Sequence, residues 1–291
     1  MNNLLQVRFR FHPLFTMVML LSLATGHFLE SATLFGIVFL HELGHFGAAA
    51  AFGWRVREVR LLPFGGVLVV DELASVPLRE EMIVALAGPL QHLWLIALGF
   101  LCRFLEAGDP EWWSYFIEIN AVIALFNLLP ILPLDGGKLL QGLLSMGLPY
   151  QRTLVCTVWV SIVLGSMIIV IAIWPAGTGQ IHMNVLIVGL FLLYQNWVSR
   201  RHLPFYFLRF LMNREANTER LMQKGTQARP IAVARQRKVG EVVKLFMREK
   251  YHPVYVMGSR GTIEGILPEQ QVVDTYLTHK NRSCTVSELL P

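Results

Sequence analysis

Six long apolar segments constrain this chain more than any other feature of its sequence. They lie at residues 14–28, 33–52, 83–104, 115–134, 153–174 and 183–198. A membrane-spanning helix needs about 20 mostly apolar residues, and the segments come close to that length, the first being the shortest. Only 15% of all residues are charged, whereas soluble domains carry roughly 25%. The sequence therefore predicts a membrane protein with about six transmembrane helices.

Charged residues are concentrated after the last apolar segment. From Ser199 onward the chain holds 16 of its 25 Lys and Arg and 8 of its 20 Asp and Glu. This shift predicts a transmembrane domain at residues 1–198, a linker at 199–224 and a small basic domain at 225–291. Basic residues also predominate on one side of the six predicted spans, which places both termini in the cytoplasm. The same bias accounts for the basic tail, so we expect no direct binding to nucleic acid.

The loop between the second and third apolar segments is unusually apolar. It contains the run Pro63, Phe64, Gly65 and Gly66, followed by a β-branched stretch that begins at Val67. Irregular backbone at membrane depth is tolerated only where protein covers it or where it lines a cavity. We therefore expect a hairpin or strand against the membrane domain, the alternative being a plain surface hairpin.

The second apolar segment contains the sequence His41-Glu42-Leu43-Gly44-His45. On a helix, residues four apart share a face, so His41 and His45 can present both imidazoles to one zinc ion, with Glu42 beside them. Zinc acidifies its bound water, and a carboxylate at this position can accept the proton when that water attacks a carbonyl. Three ionisable side chains in one turn of a membrane helix are costly unless they have a function.

A third zinc ligand is expected, because catalytic zinc sites usually have three protein ligands and one water. The best candidate is Asp135, which follows Pro130 and Pro133 and precedes two glycines. These residues break a helix and allow the carboxylate to be directed inward. Asn127, about two turns upstream, is a candidate for holding the substrate or the developing oxyanion. Taken alone, the Asp-Gly-Gly sequence is equally compatible with a turn at a helix end.

The two motifs together resemble the paired signatures of the site-two protease family of intramembrane zinc metalloproteases. These motifs are His41-Glu42-x-x-His45 and Asn127-x-x-Pro-x-x-x-Leu-Asp135-Gly. The resemblance implies that His41, His45 and Asp135 bind Zn2+ and that Glu42 is the general base and acid. It also implies that Asn127 positions the substrate and that the segment from Pro63 to Val67 pairs with an extended substrate strand.

Further sequence features are similar to the sporulation branch of that family. They are the Leu-Pro-Phe-Gly-Gly segment at 62–66, Ala-Gly-Pro-Leu-Gln-His at 87–92 and the absence of a PDZ-like insertion. The resemblance implies a substrate that is a sigma factor precursor, namely pro-sigma-K, from which the pro-sequence is removed. It also implies membrane-protein inhibitors and a location in the mother-cell membrane around the forespore.

The C-terminal domain has a different pattern, with short strands and helices in the order β-α-β-β-α. Strand-like segments lie at 231–233, 253–257 and 262–267, with an amphipathic helix predicted at 239–250 and a final helix from Glu269. This order is similar to a CBS domain, which implies an α+β fold and a site for ATP or another adenine nucleotide. Such domains form pairs, so the single copy implies a homo-oligomer. Pro268 and Gln271 replace the usual Ser/Thr-x-x-Asp, which places the ribose contact in doubt.

Two alternatives belong to other functional classes. A membrane transporter would use the His and Asp side chains to relay protons or to pass a metal through the bilayer. That hypothesis predicts ionisable groups distributed along the spans, whereas the sequence has one compact cluster. A catalytically silent receptor would give no reason for Glu42 to lie between two histidines. The sequence therefore favours the protease.

Overall fold

A computed structural model describes residues 8–11, 13–62, 65–70, 76–174, 182–258, 261–278 and 284–290. The chain divides into two compact units, Met1–Leu139 and Leu140–Pro291, which are described separately. The predicted domain boundaries at 198 and 224 stay a prediction.

The first unit is built mainly from four helices. They are α1 (Pro13–Thr25), α2 (Phe28–Ala51), α3 (Leu78–Phe104) and α4 (Pro110–Asn127), and a further helix, α5 (Asp135–Gly147), begins in this unit. The start of α4 is set by its sequence. Asp109 accepts a hydrogen bond from the backbone N–H of Glu111, and Pro110 occupies the first turn, where its missing N–H costs nothing.

Helices α2, α3 and α4 pack around a small apolar core formed by Ile37, Leu95 and Phe116. Gly44 allows close contact between α2 and α3, because a β-carbon there would lie 2.6 Å from the carbonyl oxygen of Ala87. Many other apolar side chains of these helices are exposed, as expected for surfaces that face lipid.

A small sheet completes the first unit. Strand β1 (Arg8–Phe11) is parallel to β2 (Val56–Leu62), which is antiparallel to β3 (Gly65–Val70). The strand order is β1-β2-β3, so β3 is an edge strand of the sheet as described. The predicted hairpin is therefore present, and β3 contacts α2.

The second unit begins with a pair of long helices, α6 (Tyr150–Ile173) and α7 (Met183–Met212). Helix α7 continues through Pro204 and past the predicted end of the sixth segment, and α8 (Arg214–Lys224) follows almost immediately. The segment predicted as a linker is thus helical. Arg214, the first residue of α8, attaches this helix to the C-terminal part, because its fully buried side chain pairs with Glu269 and donates to the backbone carbonyls of residues 247, 248 and 250.

The C-terminal part has the predicted order of elements. The elements are β4 (Ile231–Ala234), α9 (Val239–Val242), β5 (Val254–Met257), β6 (Ile263–Leu267) and α10 (Glu269–Thr278). Strand β4 is parallel to β5, and β5 is antiparallel to β6. The helix predicted at 239–250 is shorter. A 3-10 turn follows α9, and at Phe246 the backbone becomes extended so that its side chain enters the core.

Every predicted apolar segment contains a helix, but the helices differ in whether they are long and apolar enough to cross a membrane. Within the described residues, α2, α3 and α6 are long and apolar enough to do so. Helix α1 has only 13 residues. The fourth segment was predicted to continue to residue 134, whereas α4 ends at Asn127, before Pro130 and Pro133. The structure supports a membrane protein, and the count of six spans stays a prediction.

Candidate metal centre

His41 and His45 lie one turn apart on α2, and both side chains are buried, with 4% and 6% exposure. Their rings meet edge to face, and their Nε2 atoms are 3.1 Å apart. Residues four apart on a helix share one face, so the motif itself produces this pair.

Asp135, at the start of α5, brings a carboxylate to the two imidazoles. Its Oδ2 atom lies 3.1 Å from Nε2 of His41 and 3.0 Å from Nε2 of His45. The other carboxylate oxygen, Oδ1, accepts from Nζ of Lys138 at 3.0 Å. Lys138 therefore engages one oxygen, and the other faces the histidines.

These three atoms fit the geometry of a zinc ion. They form a nearly equilateral triangle with sides of 3.0–3.1 Å. Ligand atoms about 2.0–2.1 Å from a tetrahedral zinc lie roughly 3.3 Å apart, so only a small expansion is required. Two imidazole nitrogens and one carboxylate oxygen are also a donor set that zinc prefers, and a fourth position is left for water.

Glu42 lies beside the triangle. It is buried, and its carboxylate, together with the two imidazoles, belongs to a group whose ligand atoms all lie within 4.8 Å of one another. Since Oδ2 of Asp135 already contacts both Nε2 atoms, Asp135 is the better third ligand. Glu42 lies next to the position that such a metal would take.

The loop before α5 places Asp135 at the histidines. This loop turns back after α4, and two glycines allow α5 to begin directly against it. A β-carbon on Gly136 would lie 2.2 Å from the carbonyl oxygen of Leu128, and one on Gly137 would lie 2.5 Å from the backbone of Ile131. The helix predicted to break here does end before the two prolines, but the two glycines lie within the first turn of α5, where they allow close backbone packing.

Asn127 is the last residue of α4. Its side-chain amide donates to the carbonyl of Ile123 on the same helix at 3.0 Å. Its role toward a substrate stays a prediction.

The predicted substrate-binding segment is described in part. Pro63 and Phe64 lie outside the described residues. Gly65, Gly66 and Val67 open strand β3 and pair with residues 60–62 of β2. Their location on an edge strand is the arrangement that strand addition requires.

Three residues that the sequence analysis left without a role in catalysis also belong to this centre. Nδ1 of His41 lies 3.0 Å from Nε2 of His92, and Nδ1 of His92 lies 2.9 Å from Oδ1 of Asn120. Gly88 faces both ligand imidazoles, because a β-carbon there would lie 2.3 Å from Nε2 of His45. Gly88 and His92 are four residues apart on α3, so they lie on the same face of the helix. This spacing is the sequence feature that could have indicated that both face α2.

The remaining nitrogen of His45 is also occupied. Its Nδ1 atom lies 2.7 Å from the carbonyl oxygen of Val84 on α3 and donates to it. The other nitrogen, Nε2, is thereby left with its lone pair directed at the metal position.

Ionisable groups buried in the described part of the first unit form one cluster. They are His41, Glu42, His45, His92 and Asp135. A transporter that relays protons needs such groups along the depth of the membrane. The compact cluster favours a single catalytic metal centre.

Comparison with known proteins agrees with this chemistry. The sequence profile of peptidase family M50 matches residues 30–108 and 103–172. The chain is 33% identical over 279 residues to stage IV sporulation protein FB of Bacillus subtilis, an alignment that covers 96% of this chain and 94% of that protein. It is 34% identical over 124 residues to a zinc metalloprotease of Methanocaldococcus jannaschii, covering 41% of this chain and 35% of that protein.

A solved structure supports the fold. The site-2 protease from Methanocaldococcus jannaschii superposes with a TM-score of 0.53 at 24% identity, covering 67% of this chain and 91% of that one. By its near full-length similarity to a curated relative, this chain belongs to peptidase family M50, the site-2 proteases, and is an intramembrane zinc metalloprotease.

Proposed function

We propose that His41, His45 and Asp135 bind the catalytic zinc ion and that Glu42 is the general base and acid of peptide-bond hydrolysis. The observation that carries this proposal is the convergence of two Nε2 atoms and one carboxylate oxygen within 3.0–3.1 Å of one another. They come from two distant parts of the sequence, since Asp135 lies 90 or more residues after the histidines, and all three are buried. Such a buried cluster is costly in a membrane protein unless it binds something.

The protein side chains then have distinct tasks. A bound zinc ion supplies a water whose pKa is lowered towards neutral pH and polarises the scissile carbonyl. Glu42 accepts the proton of that water and delivers it to the departing amine. Burial strengthens each of these interactions, because charges interact more strongly where water is excluded.

The substrate is proposed to bind in an extended conformation along β3. An edge strand presents unpaired backbone groups, and a peptide that adds to it is straightened and exposed to attack. Gly65, Gly66 and Val67 begin this strand, and β3 contacts α2, the helix of the histidines. Pro63, Phe64 and the amide of Asn127 are proposed to contribute further contacts.

The proposed substrate class is the precursor of a sporulation sigma factor, pro-sigma-K, whose N-terminal pro-sequence is removed. This assignment is supported by the near full-length similarity to stage IV sporulation protein FB. The same similarity supports regulation by membrane-protein inhibitors and a location in the mother-cell membrane around the forespore. The distribution of basic residues supports a cytoplasmic location of both termini.

For the C-terminal domain we propose a CBS-like module that joins copies of the chain and offers a site for ATP or another adenine nucleotide. The order of β4, α9, β5, β6 and α10 supports the fold. Pro268 and Gln271 oppose the usual ribose contact. Titration of the purified full-length protein with ATP tests the nucleotide site. The molecular mass of the protein in detergent, with and without ATP, tests whether copies of the chain associate. Absence of binding and a monomeric mass would contradict them.

Glu42→Gln is the direct test of the catalytic assignment. The variant should retain zinc, since the ligand set is intact, but cleavage of a co-expressed sigma factor precursor should fall by at least 100-fold, because general base catalysis is lost. The measurement is the size shift of the precursor on a gel, with zinc content determined on the purified protein.

Glu30→Gln is the matched control. Glu30 is an exposed carboxylate in the first turn of the same helix, so its substitution should leave cleavage unchanged. Full activity of Glu42→Gln would contradict its role as the base.

A further inference from the structure

A chain of hydrogen bonds leads from the proposed zinc ligand His41 through two other helices. Nδ1 of His41, on α2, lies 3.0 Å from Nε2 of His92 on α3. Nδ1 of His92 lies 2.9 Å from Oδ1 of Asn120 on α4. Nδ2 of Asn120 donates to the carbonyl of Phe116 at 2.8 Å.

The donors and acceptors of this chain have one consistent direction. A flipped amide of Asn120 would direct its oxygen at the carbonyl oxygen of Phe116, and two acceptors repel each other. The amide oxygen therefore faces His92, whose Nδ1 must carry the hydrogen. The Nε2 atom of His92 is then the acceptor, and Nδ1 of His41 is the donor. This leaves Nε2 of His41 with its lone pair directed at the metal position.

Burial makes the arrangement specific. His92 and Asn120 are completely buried, with 0% exposure. Buried polar groups need hydrogen-bond partners, and each of these two residues has its partners within the chain. Histidine ligands of metals usually donate their second N–H to a carboxylate, a backbone carbonyl or water. Here a neutral histidine and an amide take that place, which adds no further charge within the membrane helices.

We propose that His92 and Asn120 are positioning residues for the zinc site, and that they fix the tautomer and the ring orientation of His41. The proposal rests on the assignment of His41 as a zinc ligand. Neither residue touches the metal position in the hydrogen-bond chain, since His41 lies between it and His92. Loss of such a partner typically lowers metal affinity by about 10-fold to 100-fold.

The test measures zinc affinity by competition with a chelator, on purified full-length protein in detergent. His92→Leu and Asn120→Leu remove the hydrogen bonds, and both should weaken zinc binding by about 10-fold to 100-fold. His92→Gln should restore affinity to near that of the wild type, because the amide oxygen of glutamine can accept the N–H of His41. The visible absorption spectrum of the cobalt-substituted proteins provides a second readout of the ligand geometry.

Ser22→Ala controls for the loss of a buried polar group in the same unit. The Ser22 hydroxyl is buried and donates to the carbonyl of Met19 on its own helix. The Ser22→Ala variant should bind zinc as tightly as the wild type, and the spectrum of its cobalt-substituted form should be unchanged.

The outcomes separate this proposal from the one it rests on. If the wild type binds no zinc, or if His41→Ala binds it as tightly as the wild type, the assignment of the ligands fails. If the wild type binds zinc and His92→Leu binds it equally well, the positioning role is wrong. Equal weakening in His92→Leu, His92→Gln and Ser22→Ala would indicate general destabilisation and would also contradict the proposal.

Discussion

The proposed ligand residues of the zinc site are held by partners on the side that faces away from the proposed metal position. His45 donates to the carbonyl of Val84, Asp135 accepts from Lys138, and His41 contacts His92. Each of these bonds orients one ligand, so little reorganisation is needed when the metal binds. The approach of α3 to this cluster depends on Gly88.

Gly88→Ala should abolish zinc binding. The new β-carbon would lie 2.3 Å from Nε2 of His45 and 2.7 Å from Nε2 of His41, so the atoms that bind the metal would be displaced. Zinc content and cleavage should both fall to background, while the helical circular dichroism is retained.

Gly36→Ala is the control for this prediction. Gly36 lies on α2, and its added β-carbon would meet no atom within 4 Å. Alanine should stabilise the helix by about 1 kcal/mol and leave zinc binding intact. A Gly88→Ala protein that holds one zinc ion per chain would contradict the predicted displacement.

The pairing of His41 with His45 was predictable from the sequence alone, because their spacing is set by the helix itself. His41 and His45 are four residues apart, and Glu42 follows from the same motif. The contributions of Gly88 and His92 could not be predicted from the sequence alone. They depend on how α3 packs against α2, and a single histidine or glycine in an apolar segment has many possible explanations.

At the scale of elements, β3 is the strand proposed to bind substrate. It pairs with β2 on one side only among the described residues, and it contacts α2. In an extended strand, successive backbone N–H groups point to opposite sides. A peptide added to β3 would therefore use every second N–H for pairing.

A series of substrate peptides, each with one N-methylated amide near the scissile bond, tests this arrangement. Methylation should reduce the cleavage rate by about 10-fold or more at every second position, because each loses a backbone hydrogen bond. The amides between them should tolerate methylation. A profile without this alternation, measured by mass spectrometry of the products, would exclude strand addition.

The C-terminal domain contains a histidine whose protonation should weaken the fold. Nδ1 of His252 donates to the carbonyl of Arg229, and its Nε2 accepts from the backbone N–H of Met247. Burial lowers the pKa of His252 below its ordinary value of 6.5, although the bond to Arg229 acts in the opposite direction. Protonation would remove the acceptor that Met247 needs.

The stability of this domain should therefore fall as the pH decreases below about 6.5. The unfolded chain binds the proton at a higher pH than the folded chain. The neutral His252 therefore contributes its full stabilisation above the unfolded pKa, and this stabilisation is lost as the pH falls towards the lower pKa of the folded state. Hydrogen-exchange protection of residues 246–256 should drop between pH 7.5 and 5.5, by up to about 1.4 kcal/mol per pH unit. In His252→Gln the pH dependence should be smaller, and an identical dependence in both proteins would contradict this account.

The elements were predictable where a local pattern determines them. The apolar segments and the order of strands and helices in the C-terminal domain follow from periodicity and turn residues. The predicted helix ends were wrong where tertiary contacts determine the end of a helix. Helix α7 continues to Met212 despite Pro204, and α9 ends early because Phe246 enters the core. Helix α4 ends at Asn127, three residues before Pro130, and the loop that follows packs closely against the two glycines at the start of α5.

For the whole molecule, the account requires that residues far apart in the sequence meet at one metal ion. His41 and Asp135 are separated by 94 residues, and their contact depends on where the start of α5 lies relative to α2. Two helices that are apolar enough to cross a bilayer, α2 and α3, pack against each other and carry histidines of a centre whose chemistry needs water and a peptide. The metal centre therefore links the membrane fold to proteolysis.

Zinc X-ray absorption spectroscopy of the purified full-length protein, together with its metal content, shows whether these residues bind a zinc ion. The account predicts one zinc ion per chain, bound by nitrogen and oxygen atoms at about 2.0–2.1 Å with the scattering pattern of two imidazoles. Asp135→Asn should lower the zinc content without removing the imidazole signal. A protein that binds no zinc, or a spectrum dominated by sulfur at about 2.3 Å, would contradict the account.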